Sequence, residues 1–198
     1  MIRSRELAAL LILCAGATAQ TAPTATAVPK TQVVILGTGT PRLDPDRSGP
    51  AICIVANGTP YLVDFGPGVV RRAAAAALKG VTGCAPTKIK VAFATHLHSD
   101  HVVGFPDVWL TGWLVGPGRN RPLEVWGPPG TEKMLAHLVQ AFEFDIKYRI
   151  SDDKARPEGV VVNAHDINPG VSYEQNGVKI TAIEVDHAPV EPSLWLSD

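Results

Sequence analysis

Apolar and polar positions along the chain fall into short alternating runs separated by turn residues, a pattern that predicts strands interleaved with a few helices. The first apolar run, Val33-Val34-Ile35-Leu36, predicts a strand over 32–38, and Gly37 and Gly39 allow a tight turn at its end. No helix can follow that glycine pair, because Pro41, Pro45 and Pro50 come instead, so a nucleotide loop is excluded. Residues 42–49 read as a solvated polar loop, with a place at a site mouth as the other reading. Strands at 51–56 and 61–65 flank Asn57-Gly58, a strong hairpin signal. An Ala-rich helix at 69–79 is stopped by Gly80.

Residues 88–94 form the next predicted strand. The apolar segment 107–114 sets Trp109 and Trp113 one helical turn apart, which favours packed core aromatics over a substrate wall. A strand at 123–126 turns at 127–130 into a helix through Phe142 that Thr131 can cap. Met134, Leu135, Leu138, Val139 and Phe142 mark its apolar face, which leaves His137 exposed. Residues 143–158 are charged and read as irregular. A strand at 159–164 ends at His165, which is read as structural. Residues 171–175 and 178–185 form a hairpin around Asn176-Gly177. The alternation of strands and helices predicts an α/β class.

Composition refines this picture. A chain of 198 residues, 45% hydrophobic, suits one domain with a real core. The basic start at 1–6, the apolar run at 7–17 and Ala17-Thr18-Ala19 read as a secretory signal peptide over 1–19, with an uncleaved anchor helix as the alternative. Residues 20–31 read as a Thr/Ala/Pro linker and 32–198 as the domain. The expected location is periplasmic or secreted, with no membrane association after cleavage. Cys53 falls in a predicted core strand and Cys84 in a Gly/Pro loop. Spacing does not show that they meet, and they are read as two separate thiols.

Chemistry concentrates in Thr95-His96-Leu97-His98-Ser99-Asp100-His101, directly after a predicted buried strand. Imidazole and carboxylate suit zinc and its neighbours in the first transition row. On extended backbone His96 and His98 project to one side. A turn there would let them hold one metal while Asp100 and His101 hold a second. Without a cation such a cluster is costly to bury. Asp64 interrupts an apolar run near a strand end. It reads either as a carboxylate that accepts from a ligand histidine and fixes its tautomer, or as a turn residue before Gly66.

The His-x-His-x-Asp-His stretch resembles the signature of the metallo-β-lactamase superfamily. Leu36-Gly37-Thr38-Gly39-Thr40-Pro41, residues 61–68 and Val185-Asp186-His187 resemble segments of its tRNase Z-like, arylsulfatase-like and phosphodiesterase-like branch. The resemblance covers about residues 32 to 190. It implies an αββα sandwich with metals at one sheet edge. It also implies that His96, His98, Asp100, His101 and His187 are metal ligands, that Asp64 supports a ligand histidine, and that Asp100 is the catalytic residue. The implied cofactor is Zn2+, two ions in full-length members.

The activity the resemblance implies is hydrolysis of a phosphodiester, aryl sulfate or lactone by metal-bound hydroxide. The family's later Gly-Tyr-Arg-like strand, bridging Asp and final His have no counterpart here, so the chain is expected to be the N-terminal part of the sandwich. An inactive fragment with an incomplete metal site, one zinc or none, is the alternative, and a homodimer would cover its open sheet. The formal net charge of -1 gives no bulk electrostatic reason for a nucleic-acid partner. Export argues against tRNA processing. The expected partner is therefore a small-molecule ester, with no nucleic acid.

Overall fold

The computed structural model describes residues 31–185. In chain order the strands β1 (Thr31–Gly37), β2 (Ala51–Ala56) and β3 (Thr59–Val63) lead into helix α1 (Val69–Leu78) and strand β4 (Val91–Phe93). Helices α2 (Ser99–Val102) and α3 (Phe105–Leu114) precede β5 (Leu123–Gly127). Then come α4 (Thr131–Ala141), α5 (Glu143–Ser151), α6 (Pro157–Val160), β6 (Val162–Asp166) and the hairpin β7 (Gly170–Gln175) and β8 (Val178–Ala182).

Strands β1 to β6 form one sheet in sequence order. The first three pair antiparallel and the last four pair parallel. Parallel neighbours need crossovers, and the helices supply them on one face of the sheet. The main core lies between that face and the helices, where Cys53, Leu62, Ala92 and Val125 meet Val69, Phe105, Trp109 and Leu135. On the other face β7 and β8 form a separate two-stranded sheet. Its Tyr173 packs edge-on against Tyr61, Phe93 and Trp126 at centroid distances of 5.1–5.7 Å. Aromatic rings on both sides make this a second small core. Helices, sheet and second sheet thus stack as layers, matching part of a metallo-β-lactamase sandwich.

Several expectations shift. Residues 143–158 are irregular only over 152–156: α5 occupies 143–151 and α6 begins at Pro157. The dense charges hid the helical period, yet they sit at helical spacing, Glu143 with Lys147 and Asp145 with Arg149. Arg149 also reaches Asp153 at 2.7 Å. Thr131 does not cap α4. It is fully buried and donates to the Pro128 carbonyl, while the Asp166 carboxylate accepts from the Gly130 and Glu132 N–H groups at 2.9 Å each. Val139 turns partly outward. The last predicted strand ends sooner, at Ala182.

Cys53 and Cys84 are not separate thiols. They form a disulfide with a Cα–Cα distance of 6.2 Å that ties β2 to the loop before β4. Both tryptophans of α3 are core residues, as expected, and their indole N–H groups donate to the Val160 and Arg156 carbonyls at 2.7 Å. Arg119 is almost wholly buried and donates to the Trp109 and Gly159 carbonyls. Desolvation lowers its guanidinium pKa to about 10.

Candidate metal centre

The candidate residues collect where β3 and β4 end side by side. Tyr61, Leu62 and Val63 pair in parallel with Val91, Ala92 and Phe93, so the segments after both strands emerge together. Such carboxyl ends of parallel strands are where open α/β sheets place their sites. Asp64 follows β3 at once with φ 61°, a left-handed conformation in which Asp is better tolerated than most residues. That twist ends the strand and turns the carboxylate toward the segment after β4. The two segments are fastened by their backbones. Asp64 N–H donates to the Phe93 carbonyl at 2.8 Å and Phe65 N–H to the His101 carbonyl at 2.7 Å.

This seam is too close for side chains at two places. A Cβ on Gly66 would lie 2.7 Å from the Asp100 carbonyl oxygen, and one on Gly104 would lie 2.5 Å from the Phe65 and Gly66 oxygens.

The Asp64 carboxylate, 7% exposed, accepts three donors. Thr95 N–H donates to Oδ1 at 2.8 Å, and Thr95 Oγ1 lies 3.0 and 2.9 Å from the two oxygens. His101 Nδ1 lies 2.8 Å from Oδ2. A carboxylate only accepts, so Nδ1 carries the proton and His101 Nε2 is left as an electron-pair donor. Asp64 thus ends the strand with its backbone and contacts the His101 ring with its carboxylate.

His98 precedes the short helix α2 with extended backbone, and Asp100 and His101 lie on that helix. The His96 ring centroid is 4.6 Å from that of His98 and 4.0 Å from that of His101. His101 Nε2 lies 3.6 Å from Asp100 Oδ2. The fold therefore gathers His96, His98, Asp100, His101 and Asp64 from two loops into one cluster. His187 lies outside the described residues. His165 is elsewhere, stacked on Trp126 at 4.6 Å and 3.0 Å from Glu124 Oε2, which is consistent with a structural role. His137 is exposed on α4.

Among the described residues no group of three or more His, Cys, Asp or Glu side chains is arranged to hold a metal ion. The donors present still fit a first-row transition metal: three imidazoles and one carboxylate adjoin, and a buried carboxylate fixes the tautomer of one ring. One participant escaped the sequence reading. Thr95 Oγ1 also lies 3.0 Å from His96 Nδ1, which links Asp64 to a second histidine. Its position beside the first histidine was the only signal.

Comparisons with known proteins address the family and the fold. The family described as "Beta-lactamase superfamily domain" matches residues 59–197. The chain is similar to ribonuclease Z of Mycobacterium marinum, 37% identical over 164 residues, or 82% of this chain and 57% of that protein. It is 39% identical over 166 residues to ribonuclease Z of Mycolicibacterium gilvum, covering 82% of this chain and 55% of the relative. The chain thus spans somewhat more than half the length of these curated relatives.

Among solved structures, the short form of human tRNase Z aligns with a TM-score of 0.51 at 24% identity, over 68% of this chain and 43% of that one. A diphosphatase of the PhnP family aligns with a TM-score of 0.51 at 19% identity, over 76% and 56%. These two likenesses show the fold alone.

The expectation of a small-molecule partner with no nucleic acid is overturned by the ribonuclease Z relatives. It rested on expected export and on net charge, which reports the bulk field and not a local grip on one phosphate. Signature, fold and family match converge on one conclusion: the chain belongs to the beta-lactamase superfamily, on its metallo-β-lactamase side.

Proposed function

We propose that this chain carries the metal-binding half of a zinc-dependent phosphodiesterase that acts on RNA. The carrying observation is the His96–His98–Asp100–His101 cluster with His101 held by buried Asp64. The ribonuclease Z relatives favour a phosphodiester over an aryl sulfate or a lactone. His96, His98 and His187 would hold one zinc, and Asp100 and His101 a second. Bound zinc lowers the pKa of water and polarises a phosphoryl oxygen, the two services that ester hydrolysis at neutral pH requires.

The chain's own residues supply position and proton handling. Asp64 holds His101 in one tautomer. Asp100, with Oδ2 3.6 Å from His101 Nε2, orients the attacking water and takes its proton. The loop after β1 supports an RNA substrate. Its Thr38, Thr40, Arg42, Asp44 and Arg47 line a groove of about 320 Å³, in which Arg47 pairs with Asp44 at 3.3 Å. Its far end is fastened beside the cluster, where Gly49 N–H donates to the Pro67 carbonyl. Hydroxyls and guanidinium groups at that edge suit phosphate oxygens.

Residues 1–19, which lie outside the described residues, read as a signal peptide, and on that reading the activity would lie beyond the cytoplasm. The Cys53–Cys84 disulfide supports that location, since disulfides persist in oxidising compartments. Zinc content per folded chain, with turnover of RNA and of an activated phosphodiester, tests the assignment. Bound zinc is expected, together with turnover that Asp100→Ala lowers by at least about 100-fold. Turnover unchanged by that substitution, or a folded chain that takes up no zinc, sinks it.

A further inference from the structure

Thr95 stands between the buried carboxylate and the first histidine of the cluster, and its hydroxyl has one proton for two neighbours. Oγ1 is 2.9 Å from Asp64 Oδ2, 3.0 Å from Asp64 Oδ1 and 3.0 Å from His96 Nδ1. The carboxylate has no proton to give, so an O···O approach this short is attractive only if Thr95 donates. Its hydroxyl is then left with lone pairs toward the ring, and His96 Nδ1 must carry the N–H that it accepts. His96 Nε2 becomes the electron-pair donor.

His101 is fixed the same way without an intermediary, Nδ1 to Asp64 Oδ2 at 2.8 Å. Thr95 N–H adds a further donor to Oδ1 at 2.8 Å, so the threonine is held at both backbone and side chain. One buried carboxylate thereby sets two imidazoles, one directly and one through a hydroxyl.

We propose that Thr95 is a positioning residue for the metal centre, relaying the Asp64 carboxylate to His96 so that both His96 and His101 present Nε2 to the ion. The inference rests on the zinc reading above. The relay removes the alternative tautomer, in which His96 would offer Nδ1 inward and keep a proton on the ligand nitrogen. It also explains why a residue whose side chain is largely at the surface keeps three short polar contacts. Replacing Thr95 opens no cavity in either core, which makes the relay open to test by substitution.

The experiment uses the full chain labelled with 15N-histidine and compares wild type, Thr95→Val and Thr95→Ser. Long-range proton–nitrogen spectra of the zinc-free protein report each imidazole tautomer, and a chelator competition reports zinc affinity. In wild type, His96 and His101 are both expected with the proton on Nδ1. Thr95→Val is expected to release His96 to the Nε2-protonated form while His101 keeps its tautomer, and to weaken zinc about 10- to 100-fold. Thr95→Ser, which restores the hydroxyl, is expected to return both readouts to near wild type.

Wild-type His96 protonated on Nε2 overturns the relay. So does a Thr95→Val chain with unchanged tautomer and affinity. Loss of both histidine tautomers together also overturns it, because that result assigns the effect to Asp64 alone. A wild-type chain that takes up no zinc fails at an earlier step, overturning the metal reading itself and the relay's purpose with it.

Discussion

Single residues decide the chemistry of the cluster, and Asp64 decides most of it. Its carboxylate is buried, sits at φ 61° and receives three donors from Thr95 and His101. Asparagine tolerates the same backbone conformation but offers one oxygen and an NH2 group where two oxygens stood. Asp64→Asn is therefore expected to keep the fold and weaken zinc binding about 10- to 100-fold, read by chelator competition. Wild-type affinity in that variant would reduce Asp64 to a turn residue. At the substrate edge, Arg42→Ala is expected to raise KM for RNA several-fold and leave kcat near wild type, because a cation that only grips phosphate contributes equally before and during reaction. A fall in kcat with unchanged KM would move Arg42 into the reacting centre.

Elements hold that cluster in place by links between distant segments. The Cys53–Cys84 disulfide spans 31 residues and pins the segment before β4 against β2. Closing a loop of that length stabilises a chain by about 3–4 kcal/mol in the entropy model. Reduction of the folded protein is expected to lower its unfolding free energy by up to that amount, measured by urea titration with and without reductant. An unchanged midpoint would show that reduced β2 holds the segment equally well. Helix α4 begins on Asp166, which follows it by 34 residues and accepts from Glu132 N–H, while Glu132 Oε1 accepts from Asp166 N–H at 3.0 Å. Asp166→Ala removes this reciprocal cap and is expected to cost about 1 kcal/mol, or about 2–4 °C in Tm.

On the proposed zinc reading, the whole molecule would join folding to metal binding. Four donor groups drawn from one loop stay together at a cost in desolvation, and an ion that binds the folded state alone offsets it. Free zinc at about 100 times its Kd is expected to stabilise the chain by about 2.7 kcal/mol, an upward shift in Tm that a chelator reverses. No shift with zinc would mean that the folded and unfolded chains bind it alike. Because Arg42 and Arg47 line the groove and Arg47 is paired there with Asp44, RNA affinity is expected to fall with salt at a log–log slope of about -1. A much steeper slope would require a basic surface that a net charge of -1 gives no reason to expect.

What could be read from the residue order is local. Apolar runs at 51–56 and 61–65 around Asn57-Gly58 announced β2 and β3, because strand composition and turn chemistry are short-range. Four candidate ligands within six positions announced the cluster, because one loop supplies them all. What the folded chain alone settled joins residues far apart. Parallel pairing of β3 with β4 brings Asp64 to Thr95 across 31 positions and to His101 across 37. Cys53 and Cys84 meet only because β2 packs on the loop before β4, and no spacing rule encodes a 6.2 Å separation. Helix α5 was hidden for the opposite reason: its residues carry so much charge that packing, not period, reveals it, through Ile146 against the core. Short-range preference is written in neighbours along the chain, and long-range contact depends on how whole strands stack.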